Sequence, residues 1–87
     1  MKLKYELMSR EIMGEYALIP VGDSAIAMGG MMITNEVGAF LCEMLQVEMT
    51  KDELISALRG EFDVDQATAN QDVSAFLEQL EGWDLLI

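Results

Sequence analysis

The sequence predicts an α+β domain in which a three-stranded antiparallel sheet packs on three helices. Three observations carry this. In the first third, apolar and polar residues alternate and turn residues break the chain into short β-prone pieces. From residue 36 onward, apolar residues recur at helical spacing. The helical segments open on Thr, Asn or Asp, the residues that cap helix N-termini. At 87 residues and 52 % hydrophobic, the chain has material for one core and is expected to form a single domain spanning 1–87.

The elements follow in order. Lys2 to Met8 alternates, with Leu3, Tyr5 and Leu7 on one side, and reads as the first strand. Gly14 with Glu15 suits a tight turn, and Tyr16 to Pro20 is the second strand, with Pro20 at its end because proline cannot donate to a ladder. "VGDS" is a further turn, and "AIAM", Ala25 to Met28, is the expected third strand, ended by Gly29-Gly30. The first helix is capped at Thr34 or Asn35 and carries Val37, Phe40, Leu41, Met44 and Leu45 on its apolar face. Thr50 and Glu53 form a capping box for the second helix, whose apolar face is Leu54, Ile55 and Leu58 and whose stop is Gly60. Asp65 caps the third, with Ala69, Val73, Phe76, Leu77 and Leu80 as its stripe and Gly82 at its end. "WDLLI" is an apolar tail that must pack back on the body. Three helices behind a small sheet is a winged helix-turn-helix-like layout.

Composition narrows the function. The chain has no histidine and one cysteine, which removes the usual general base, an internal disulfide and a cysteine metal site. Cys42 lies among apolar residues with no cation beside it and reads as a small buried hydrophobe. The acids of "EFDVDQATA" alternate, but Phe62 and Val64 occupy the intervening places and the glycine of a calcium loop is missing, so Asp65 reads as a cap. No catalytic residue, cofactor or metal is expected.

Charge is uneven. Residues 1–35 hold four acids and three bases, whereas residues 36–87 hold twelve acids and two bases. Such a surface cannot neutralise phosphates, so nucleic acid is not the expected partner. A winged-helix DNA-binding regulator, which shares the layout, should have a basic third helix, and this one is acidic. A phosphopantetheine carrier using Ser24 is the other alternative; there the serine opens a long helix, whereas here Gly29-Gly30 arrives five residues later. No signal peptide or membrane-length apolar run is present, so no membrane partner is expected and the cytoplasm is the expected compartment. The acidity itself suits solubility or a basic partner.

"ITNEVGAFLCEML" is similar to the "LNETGAxIWxLL" signature of the coenzyme PQQ synthesis protein D family. "MTKDELISALRGEFDVDQATANQDVSAFLEQLEGWDLL" resembles the second helix, the "EYDVD" link, the "ADVxxFLxxL" third helix and the terminal "GLL" of the same family. The likeness covers about residues 8–87. Cys42 departs from it, standing where tryptophan is frequent, and so does "WDLL", where a glycine is commoner. The resemblance implies a recognition element for ribosomally made precursor peptides. Such an element is non-catalytic: it holds the leader of the peptide and presents the core to a modifying enzyme, often a radical SAM maturase. The leader then adds as a strand beside the third strand, in a groove against the third helix.

Physical reasoning points the same way. An open sheet edge is a template for strand addition, and it would also serve a homodimer. The expected peptide-binding residues are Ala25, Ile26, Ala27 and Met28 on the strand edge, with Asn70, Val73, Ser74 and Leu77 on the third helix. Asn70 and Ser74 are small or polar residues at i, i+4 that would admit a side chain, with Val73 and Leu77 as the groove wall; the opposite flank, Asp72 and Gln79, is the alternative. Gly38 is expected to let the first helix approach the sheet closely.

Overall fold

A computed structural model describes residues 1–87 apart from Ser24, Ala27 and Met28. Three strands form one antiparallel sheet in the order β1 (Leu7–Ile12), β2 (Glu15–Pro20), β3 (Met32–Thr34). Three helices follow: α1 (Glu36–Met44), α2 (Lys51–Glu61) and α3 (Gln66–Gly82). The α+β class and the packing of three helices on three strands are as the sequence predicts.

The β1–β2 hairpin pairs Leu7 with Pro20 and Ile12 with Glu15. Its turn is Met13-Gly14, one residue earlier than expected, and both residues have positive φ, 53° and 86°. That is what the two-residue turn matching the strand twist requires. Leu7, Leu18 and Met32 share the sheet face that meets the helices. Met8, Ile12 and Ile33 lie on the other face and are exposed.

The first strand begins at Leu7 rather than Lys2. The alternation before it does mark burial, for Leu3 is buried, but its backbone partners lie elsewhere. The Leu3 N–H donates to the Leu45 carbonyl at 3.0 Å, and the Lys4 N–H to the Leu85 carbonyl at 2.8 Å. The N-terminal segment is thus held between the end of α1 and the C-terminal tail, with a bridge from Leu3 to Leu86.

The third strand is the main correction. It is Met32–Thr34, not Ala25–Met28. Of the expected strand, Ala27 and Met28 lie outside the described residues, as does Ser24. Ala25 and Ile26 sit in a helical turn, with N–H groups donating to the carbonyls of Gly22 and Asp23. A four-residue apolar run cannot by itself distinguish strand from helix. Gly29 and Gly30, at φ 77° and 151°, redirect the chain between this turn and β3. Ile33 then pairs with Ala17 and Met32 with Leu18.

The helix caps form as read. The Asn35 side chain accepts from the Gly38 N–H at 2.8 Å. Thr50 and Glu53 make both bonds of the capping box, and Asp65 accepts from the Thr68 N–H at 2.7 Å. Each cap is worth about 1 kcal/mol. The bonds from the Thr50 and Thr68 N–H groups hold the Glu53 and Asp65 carboxyls below the usual carboxylate range.

Gly60 does not stop α2, which runs on to Glu61 and is capped at Phe62. Phe62 ends it by packing edge-on against Phe40, ring centroids 5.6 Å apart. At the end of α3, Asp84 takes the left-handed conformation at φ 57°. The N–H of Asp84 then donates to the Glu81 carbonyl and that of Leu85 to Leu80, the paired bonds of a Schellman cap. Lys4 pairs with Asp84 at 2.7 Å, and buried Leu85 closes the tail on the core.

One core cluster joins all these elements. Leu18, Leu41, Leu45, Leu54, Leu58, Val73 and Leu80 are its largest fully buried members. Cys42 belongs to it, and burial pushes its thiol up to about 12. No helix among the described residues is long and apolar enough to cross a membrane.

Candidate functional site

β3 is an edge strand, paired to β2 on one side. From its end the chain passes directly through the cap residue Asn35 into α1. Gly38, in the first turn of α1, is buried against this junction. A Cβ placed on Gly38 would collide with Thr34 Oγ1 and lie 3.0 Å from Phe76 Cε1. The close approach expected of Gly38 is therefore real, and it holds together three elements: the end of β3, the start of α1 and the middle of α3.

A groove of about 370 Å³ opens at this meeting point. Thr34, Asn35, Val37 and Gly38 line one side, and Asp72, Ala75, Phe76 and Gln79 line the other. The last four are spaced i, i+3, i+4, i+7 and so form one flank of α3. Phe76 is 6 % exposed and forms the floor, shared with the core. Val37 is half-buried. Asp72 is half-buried and is the one charged side chain in the lining.

The four residues expected on α3 lie elsewhere than in the lining of this groove. Val73 is fully buried and commits its whole side chain to the core. Leu77 is half-buried and packs on the same cluster. Ser74 is half-buried and Asn70 exposed. Gln66, which shares their side of the helix, accepts a hydrogen bond from Arg59 of α2 at 2.8 Å, so that side is turned toward α2. On the sheet, Ile26 is 86 % exposed in its helical turn and offers no strand edge. The edge lies at Met32–Thr34. The signals in the sequence were Ile33 and Thr34, β-branched residues just after the Gly-Gly break, and the helical spacing of Asp72 with Gln79.

Cys42 is 2 % exposed with its thiol held protonated, so it is no nucleophile. Among the described residues, no cluster of three or more His, Cys, Asp or Glu is placed to hold a metal ion.

A small antiparallel sheet whose edge strand lies beside a helix-walled groove defines the fold class, an α+β domain. The family model for coenzyme PQQ synthesis protein D matches residues 15–86, and the chain belongs to that family. Among solved structures, the fold is similar to TbiB1 in complex with the TbiA(beta) leader peptide, with a TM-score of 0.69 and 24 % identity over 99 % of this chain and 94 % of that one. A comparison with curated proteins found no match.

Proposed function

We propose that the protein is a non-catalytic leader-peptide-binding element. It would hold a ribosomally made precursor peptide and present it to a modifying enzyme, a radical SAM maturase or another class of peptide-modifying enzyme, in the cytoplasm. The leader adds as a strand beside β3 and places alternate side chains in the groove between Val37 and the Asp72–Gln79 flank of α3. The observation that carries this reading is the juxtaposition of an unpaired strand edge and a groove on the same side of the domain. Strand addition gains affinity from main-chain bonds and specificity from pockets for every second side chain. Family membership and the leader complex of TbiB1 support it. Without peptide, the same edge suits pairing between two copies, which a leader would displace.

The test is hydrogen exchange on complexes with peptides selected from a random display library. Amides of Met32–Thr34 should gain protection. N-methylation along a bound peptide should weaken binding at every second position. Protection confined to other elements, with none at β3, overturns the proposal.

A further inference from the structure

Asp72 stands out among the residues of the groove. It is half-buried and has no cation beside it in the lining. The ion pairs among the described residues are Met1 with Glu48 and Lys4 with Asp84, so Asp72 belongs to neither. A half-buried carboxylate with no cation beside it gains a charge-assisted hydrogen bond from a ligand that brings one.

Spacing tells where on a ligand that cation must be. The flank from Asp72 to Gln79 spans about 10 Å at the rise of an α-helix. Side chains on one face of a strand stand about 7 Å apart. The flank therefore accepts two consecutive same-face side chains. Val37, Ala75 and Phe76 make the middle of the groove apolar, and Asp72 makes one end anionic. From Glu36 to the C-terminus the chain holds twelve acids against two bases, so the long-range field favours the same sign of ligand.

We propose that the groove reads charge as well as shape: it selects a peptide strand carrying an apolar side chain and, two residues away on the same face, a Lys or Arg that pairs with Asp72. The proposal rests on the leader-binding reading and makes Asp72 its specificity-determining residue.

Random twelve-residue peptides displayed as a library are selected on the full chain and on its Asp72→Lys variant. The parent should enrich apolar-x-Lys/Arg, and the variant apolar-x-Asp/Glu. For peptides selected on the parent, Asp72→Asn should weaken binding roughly three- to tenfold, the range of a partly desolvated ion pair. Glu78→Gln removes the same charge from an exposed position on α3 outside the groove and should change little. Asp72→Asn is isosteric, so circular dichroism and the melting profile verify that it folds. Selected peptides that protect Met32–Thr34 but lack a basic residue and bind both forms alike overturn the charge inference and leave strand addition standing. Equal losses with Asp72→Asn and Glu78→Gln also overturn it, by assigning the preference to the overall field. Selections in which no peptide protects β3 overturn the leader reading itself.

Discussion

One flank of α3 carries Asn70 and Ser74, and the other carries Asp72, Ala75 and Gln79. Both are small or polar, and from side-chain size alone either could wall a peptide groove. They differ in what stands across from them. The Asn70 side continues from Gln66, which is bonded to Arg59 of α2, and it includes Val73 and Leu77, both drawn into the core. The Asp72 side faces the junction of β3 and α1, where Gly38 has no side chain to fill the space. A groove is made by the element opposite as much as by the helix that walls it.

Phe76 lies where the two roles overlap, and it should show the largest effect. Its ring is 6 % exposed, belongs to the core cluster and floors the groove. Phe76→Ala is expected to cost about 3–5 kcal/mol in denaturant unfolding and to abolish peptide binding. Leu77→Ala should cost less, because Leu77 is only half-buried, and should leave the groove lining intact. Equal losses of binding in the two variants would erase the distinction between flanks.

Gly38→Ala comes next. Alanine is the better helix former by about 1 kcal/mol, so with free space around Gly38 the change would stabilise. Collision with Thr34 and tight contact with Phe76 reverse the sign, and an overpacking cost of about 1–3 kcal/mol is expected. Cys42, one turn further along α1, reports it directly. At neutral pH its buried, protonated thiol reacts only when the structure opens. Thiol labelling should accelerate about tenfold for each 1.4 kcal/mol lost, where labelling follows the open population. The raised thiol value also sets a pH limit. The folded state keeps this group's full contribution below the ordinary thiol value of 9.0 and loses it as pH rises from there toward about 12.

The same comparison explains what was legible in the sequence. The caps at Asn35, Thr50 and Asp65 are three-residue devices that need no distant partner, so their positions follow from residue type. The core stripe of α3 follows from its period, with Ala69, Val73, Phe76 and Leu80 buried. Strand pairing is non-local. "AIAM" and "MMIT" both could extend the sheet, and only the path through the Gly22 turn and the Gly-Gly break decides that the second does. The sequence leaves two flanks open for the same reason: Gly38 reads as a point of close approach, but nothing in the spacing of α3 says which side of it Gly38 approaches.

The last test separates the flanks at the smallest cost in stability. Ala75 is exposed and Ser74 half-buried, and they are neighbours on α3 about 100° apart around its axis. Neither position belongs to the packed core, so Ala75→Trp should stay within about 0.5 kcal/mol of the parent in thermal unfolding, and Ser74→Trp close to that. Their effects on binding should diverge. At Ala75 the indole fills the middle of the groove between Val37 and Phe76, where a peptide side chain would sit, and binding should be lost. At Ser74 it lies outside the lining, and a peptide selected on the parent should bind with unchanged affinity. The indole is also a reporter, because its fluorescence at Ala75 should differ from that of the native Trp83, which is exposed at the end of α3. If Ser74→Trp blocks binding and Ala75→Trp does not, the peptide runs along the α2 side of the helix. The open edge of β3 would then have to be served by a different part of the ligand.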